Sequence, residues 1–260
     1  MILKMKFKAL KQVLYIFVMV VLPLLSFGDD NQSLFDKGNA EYAKSQYKEA
    51  LVAYQQLINE GYQSAAVYYN MGNAEYKLAD IPSALLYYEK AHKLNPGDED
   101  INVNIHFANS KTTDKIDESP EFFLAKWWHG FILGFSVNLL AMLSIGLFLT
   151  GSALLILYFF TNSVVIKKAS FYISIILFLV GLLPIFIAES QVNYFDGHKQ
   201  AIIFTSTVNV KGGPADQSVT VFVLHEGTKI NVLDNIHGWL KMKLANGNEG
   251  WIKATDVKEI

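Results

Sequence analysis

From Asn31 to about Lys111, apolar and small side chains recur every three to four residues, the period of a helix with one buried face. The stretch divides into five helices, near 32–45, 48–59, 65–78, 82–94 and 99–111. Pro82 suits a first helical turn, Asn95-Pro96-Gly97 stops a helix, and Asp98 to Asp100 place negative charge at the start of the next. Thr112 to Pro120 is polar, ends in proline, and reads as a linker. The pattern then changes. Between Lys126 and Lys167 lie 40 residues without Asp, Glu, Lys or Arg, and between Lys168 and Glu189 lie 20 more. Runs of that length call for a bilayer, with spans at 139–160 and 170–188 and a kink at Pro184. Residues 121–138, with Trp127 and Trp128 beside Lys126, read as an interfacial segment. From about Gln200 to Ile260 the period becomes two, as in Val219, Val221, Val223 and in Ile230, Val232, and Asn246-Gly247 marks a hairpin. Five or six short strands in that space predict a small all-β barrel.

The helical stretch also repeats. Gly38-Asn39-Ala40-Glu41-Tyr42 returns as Gly72-Asn73-Ala74-Glu75-Tyr76, and Ala50 and Tyr54 return as Ala84 and Tyr88, all at a period of 34 residues. A fixed period of that length signals stacked helix pairs. Tyr68, Met71, Gly72, Tyr76, Ala84, Tyr88, Ala91 and Pro96 carry the spacing of the tetratricopeptide repeat, which the second unit (65–98) resembles; the first (31–64) has Lys37 and Tyr62 at two signature positions and resembles it more loosely. Residues 99–111 are expected to cap the stack, because each repeat buries its apolar face only against neighbours.

Residues 1–28 combine Lys4, Lys6, Lys8 and Lys11 with an apolar run and Ser26-Phe27-Gly28, the pattern of a signal peptide cut after Gly28. An uncleaved anchor is the competing reading, and either one would export the repeat region. The loop 161–169 holds two lysines and no acid, which places it in the cytoplasm and both flanking modules outside.

Composition narrows the chemistry. Cysteine is absent, which removes disulfides, thiolate metal sites and cysteine nucleophiles. All basic residues are lysine, so the guanidinium fork that reads bases and phosphates is missing; without residues 1–28 the balance is 18 bases to 24 acids, a sign that repels nucleic acid. No phosphate loop, Gly-x-Ser-x-Gly or His-Glu-x-x-His occurs; His225-Glu226 opens the last motif, but Lys229 stands where its second ligand belongs. The expectation is a protein that is not an enzyme and holds neither cofactor nor metal.

Binding has better candidates. In a tetratricopeptide stack the first helix of each pair lines a concave groove, and the resemblance puts Phe35, Asn39, Tyr42, Tyr69, Asn73, Tyr76 and Lys77 on it. Asn39 and Asn73 can hydrogen-bond an extended backbone and the tyrosines supply flat contact area. Packing between helices is an equal alternative for Tyr42 and Tyr76. Asn39, Asn70 and Lys111 echo a carboxylate clamp, but Phe35 and Phe107 stand where bases are needed. From His225-Glu226-Gly227 through Gly238-Trp239 to Gly250-Trp251-Ile252 the chain resembles the bacterial SH3-like domain, whose groove would be formed by Trp239 and Trp251; core positions are the favoured alternative for both.

The order of these parts, together with Asp114-Lys115-Ile116 and Ser136-Val137-Asn138, resembles the BatE family of the Bacteroides aerotolerance system. That resemblance implies an adaptor in the bacterial inner membrane with both modules in the periplasm. Its implied partners are von Willebrand A-type membrane proteins and, indirectly, a MoxR-type ATPase, in an aerotolerance or envelope-stress complex. A peptidoglycan tether acting through the SH3-like domain is the other expectation. A sensor signalling inward is disfavoured by the short cytoplasmic loop.

Overall fold

The computed structural model describes residues 29–117, 119–120 and 122–260. The proposed signal peptide lies outside them. The described residues open with five helices: α1 (Asp29–Ala43), α2 (Tyr47–Asn59), α3 (Ala65–Lys77), α4 (Ile81–Leu94) and α5 (Glu99–Asn109). Polar side chains start three of them. Ser64 accepts from the Val67 N–H, Asp80 from the Ser83 N–H, and Asp98 from the Asp100 and Ile101 N–H groups, which satisfies amides that a first turn leaves without partners. Both α1–α2 and α3–α4 turn through a non-glycine residue at positive φ, Ser45 and Ala79, one repeat apart. The two pairs close on one core, with Ala50, Tyr54 and Leu57 of α2 against Val67 and Met71 of α3. Gly38 and Gly72 admit the rings of Tyr54 and Tyr88; a Cβ on Gly72 would stand 2.5 Å from Tyr88.

Two helices farther along are long and apolar enough to cross a membrane, α7 (Val137–Phe160) and α8 (Val164–Gly197), with mean hydropathy 2.3 and 2.7. Most of their aliphatic side chains are exposed, as on a lipid-facing hairpin and unlike the core helices of a soluble domain. They pack along small residues: Gly151 against Phe178, Gly181 against Phe148, and the Ser144 hydroxyl donating to the Gly181 carbonyl at 3.0 Å. The turn between them is shorter than expected. It spans 161–163, and Lys167 and Lys168 belong to the first turns of α8. Helix α8 runs on through Pro184 and, at 34 residues, outlasts the expected span 170–188 by nine residues at its far end. Those last turns stand beyond the apolar stretch as a post.

A short helix, α6 (Phe123–Leu133), occupies the expected interfacial segment. At 11 residues, or roughly 16 Å, it is too short to cross a bilayer, so the long uncharged run holds one helix of spanning length and not two. Gln191, buried in α8, donates from Nε2 to the carbonyls of Ile132 and Phe135 and so holds the bend between α6 and α7.

The rest of the chain is one antiparallel sheet of seven strands: β1 (Gln200–Ile203), β2 (Thr207–Lys211), β3 (Thr220–His225), β4 (Lys229–Ile236), β5 (Trp239–Lys243), β6 (Glu249–Lys253) and β7 (Val257–Glu259), in the order β3-β2-β6-β5-β4-β1-β7. The sheet wraps a core of Ile203, Val210, Leu224, Ile230, Leu240, Met242 and Ile252. It does not close into the barrel that the sequence predicts: β3 and β7 remain as edges, with no pairing between them among the described residues. His237 and Gly238, both at positive φ, make the two-residue turn from β4 to β5, and Gly247 at φ 92° serves the Asn246-Gly247 hairpin. Along β3, Leu224 is buried and Phe222 packs on the core, whereas Val221 and Val223, with Val219 just before the strand, are the apolar series in the sequence and are exposed.

The helical array and the sheet are docked together. On β1, Ala201 and Ile203 face the sheet core, while Ile202, fully buried, enters a cluster with Leu85, Leu86, Tyr88 and Ala108 of the helices. Lys229 pairs with the buried Glu89 at 2.8 Å. The linker at 112–120 is not free. Asp114 accepts from the His225 N–H (2.7 Å), from the Thr228 hydroxyl (2.7 Å) and at His225 Nδ1 (2.9 Å), Ile116 packs on the sheet core, and the Ser119 N–H reaches the Ala245 carbonyl. Burial raises the Asp114 pKa, but the His225 and Thr228 bonds outweigh it, holding the carboxyl below its usual value of 3.8.

Candidate functional site

The helix pairs position a polar network that occurs twice, one repeat apart. In the first copy Asn39 Oδ1 accepts from the Tyr54 hydroxyl at 2.8 Å and from Asn70 Nδ2 at 2.9 Å; in the second, Asn73 Oδ1 accepts from the Tyr88 hydroxyl at 2.8 Å and from Asn104 Nδ2 at 2.9 Å. Each network ties three consecutive helices across the stack. Burial raises the pKa of Tyr54 to about 12 despite the opposing Asn70 bond, and raises Tyr88 likewise, so both hydroxyls stay protonated and donate. The carbonyl side of each asparagine is thereby saturated. The Nδ2 of Asn73 donates to nothing among the described residues, and Asn73 lines an open cavity.

That cavity, of about 370 Å³, is bounded by Tyr42, Asn73, Tyr76, Lys77, Tyr88, Asn104 and Phe107. The structure therefore gathers Tyr42, Asn73, Tyr76 and Lys77 of the seven expected groove residues at one place. Phe35, Asn39 and Tyr69 lie outside its lining: Phe35 leans on the Tyr54 ring, Asn39 is held in its own network, and the Tyr69 hydroxyl accepts from Asn104 Nδ2 at 3.1 Å. Tyr42 serves twice, packing edge-on to Tyr47 and lining the cavity, and Tyr76 likewise packs beside Leu85 and Tyr88. Two further lining residues, Tyr88 and Asn104, escape the sequence reading, which meets Phe107 only as a ring where a clamp would need a base. The signal for Asn104 and Phe107 was present, since Asn104 is one period after Asn70 and Phe107 one after Asn73. Phe107 puts an exposed ring where a third asparagine would continue the ladder.

On the sheet, register sets the two tryptophans outside. Leu240 and Met242 of β5 and Ile252 of β6 point into the core, and Trp239 and Trp251 alternate with them on the outer face, half-buried. The core positions favoured for these rings in the sequence are taken by their neighbours. Lys253 lies over the Trp239 ring at 5.5 Å and pairs with Asp216 at 2.7 Å. Trp239 borders a cavity of about 270 Å³ with Lys211, Lys253 and Asp256; Trp251 stands opposite Lys241 and does not line it.

A third cavity, about 480 Å³, lies where helices, linker and sheet meet and includes Glu89, His92, His106, Asp114 and Lys229. His92 Nδ1 is buried with no partner, and its ring meets Phe195 of α8 edge-on at 6.2 Å. Burial lowers the His92 pKa below 6.5, and nearby Lys229 adds to this, against Glu89. Among the described residues no group of three or more His, Asp or Glu is placed to hold a metal.

Stacked helix pairs with an open, polar-lined groove define a class of protein-interaction modules. Comparison with protein families agrees: residues 65–98 match the tetratricopeptide repeat, and such repeats generally mediate contacts between proteins. No curated protein matches the chain.

Proposed function

We propose that the chain is a non-enzymatic, membrane-anchored adaptor that holds an extended segment of a partner protein in its tetratricopeptide groove. The observation that carries this reading is the duplicated asparagine–tyrosine network, which fixes Asn73 at the groove wall with its Nδ2 donor unspent. Tyr42, Tyr76 and Phe107 would contact the segment's side chains and Lys77 an acidic group on it, while Phe35, Asn39 and Tyr69 would support or extend the groove. Neutral amides and rings suit recognition of a backbone better than catalysis. The domain order fits the BatE family, with von Willebrand A-type membrane proteins and a MoxR-type ATPase as partners in an aerotolerance or envelope-stress complex and the wrapped sheet as an SH3-like module.

The placement of both modules in the periplasm has physical support. A helical hairpin returns the chain to the side it left, and the sheet after α8 can dock on helices before α6 only from that side. Lys167 and Lys168, with no acid beside them, favour the other side as the cytoplasmic one.

A photo-cross-linker at residue 77 in intact cells tests the groove, with position 52, exposed on α2, as control. A discrete adduct from 77 and not from 52, lost in Phe107→Glu, is expected. An adduct that survives Phe107→Glu, or none at all, overturns capture in the groove. A second reading, a peptidoglycan tether, is favoured by the outward setting of Trp239 and Trp251. It predicts that the chain sediments with purified sacculi and that Trp239→Ala abolishes this.

A further inference from the structure

Helix α6 has two faces. Trp128, His129 and Ile132 turn to α8, where Trp128 meets Phe186 at 6.5 Å, His129 meets Tyr194 at 4.7 Å and Ile132 is fully buried. Phe123, Trp127 and Phe131, spaced four residues apart on one stripe, are exposed, and Phe123 and Trp127 are about two-thirds or more open at 70% and 67%. Three large rings in a row on water would be costly beside the same rings buried. The height of α6 on α8 bears on what would cover them. Its contacts run from Phe186 to Tyr194 and straddle Ala188-Glu189, the point at which α8 changes from uncharged to polar. That is the level at which a spanning helix leaves hydrocarbon for headgroups, where tryptophan is favoured. Lys126, the only lysine or acid in α6, is exposed and can reach water.

The repeat array rests on the end of this helix. Gly97, in the turn between α4 and α5, lies against Gly134; a Cβ there would stand 2.6 Å from the Gly134 carbonyl oxygen. From Asp98, α5 rises to Asn104 and Phe107 at the groove, six and nine residues on, which is about 9 and 14 Å along the helix.

We propose that α6 lies in the headgroup layer with its aromatic stripe in lipid and seats the repeat array on the bilayer. The groove is then held within roughly 20 Å of the membrane surface, and its occupant is a segment that a neighbouring membrane protein carries next to its own span. This second clause rests on the groove reading above; the seating of α6 does not.

The test uses the full chain in phosphatidylcholine nanodiscs with Trp239→Phe and Trp251→Phe, so that only Trp127 and Trp128 emit. Lipid nitroxides near the headgroup should quench at least about twofold more than nitroxides at the chain ends. Equal or deeper quenching, or none from lipid, overturns the seat. Because the chain has no cysteine, Val103→Cys on α5 takes a single donor dye. Efficient transfer to headgroup acceptors is expected, with a fall in Gly97→Leu that leaves tryptophan quenching unchanged; weak transfer in the parent overturns the seating even if the tryptophans are quenched. The peptide captured by the residue 77 cross-linker should map beside a transmembrane span. A soluble protein or a distal loop in its place overturns the juxtamembrane clause and leaves the seat standing, whereas failure of capture counts against the groove alone.

Discussion

Ile202→Ala separates a docked sheet from a tethered one. Ile202 is fully buried, yet it faces Leu85, Leu86, Tyr88 and Ala108 while its neighbours Ala201 and Ile203 fill the sheet's own core. The substitution removes three carbons, about 2.4 kcal/mol at 0.8 per methylene, and the cavity left behind brings the cost to roughly 2–5 kcal/mol. That loss falls on the junction. We expect the purified chain in detergent micelles to unfold at lower urea by this amount, and the segment 112–122 to become cleavable by added protease while both modules resist. Ile203→Ala should cost a similar amount but melt the sheet first, without early cleavage of the linker. If Ile202→Ala changes urea stability by less than about 0.5 kcal/mol and leaves the linker protected, the two modules are not joined through this cluster.

The geometry gives three further expected outcomes. Gly72→Ala drives a Cβ to 2.5 Å from the buried Tyr88 ring and should destabilise the helical array by about 1–3 kcal/mol, read from thermal melting; an unchanged melt would mean the ring can retreat. Tyr88→Phe removes the hydroxyl that donates to Asn73 Oδ1, which keeps its bond from Asn104, so about 1 kcal/mol of stability should go, together with much of the cross-link from residue 77. His92 has its folded pKa below its unfolded 6.5, so the unfolded chain binds more protons in mild acid; stability is full above pH 6.5 and falls as pH drops below it, and His92→Gln should flatten that slope between pH 7.5 and 5.

Much of this architecture could be read from spacing. The pair Gly38 and Gly72 announced close helix contacts, and Tyr54 and Tyr88, each 16 residues on, are the rings that fill them. Uncharged runs marked α7 and α8 because lipid-facing helices need apolar side chains on every side. Three features escaped for definable reasons. The valines of β3 alternate as a buried face would, but strand period does not say which face is in, and the core took Leu224 instead. Asp114 stands out in the sequence only as part of the Asp114-Lys115-Ile116 string, and its docking role escapes because its partners, His225 and Thr228, lie more than 100 residues away. At the groove, Asn73 and Tyr76 stood out through the repeated pentapeptide, whereas Asn104 and Phe107 belong to a third, incomplete copy of the period that no motif flags.

The Ile202 cluster also bears on how the chain matures. Leu85 and Ile202 are separated by more than 100 residues and by the whole hairpin, so the helices are made long before their cover is synthesised. Until β1 and the sheet that holds it are in place, Leu85 and Leu86 present an uncovered greasy surface, and a holding factor would have its clearest target there. Truncations within the sheet should then be betrayed by proteolysis of the helices, far from the lesion itself.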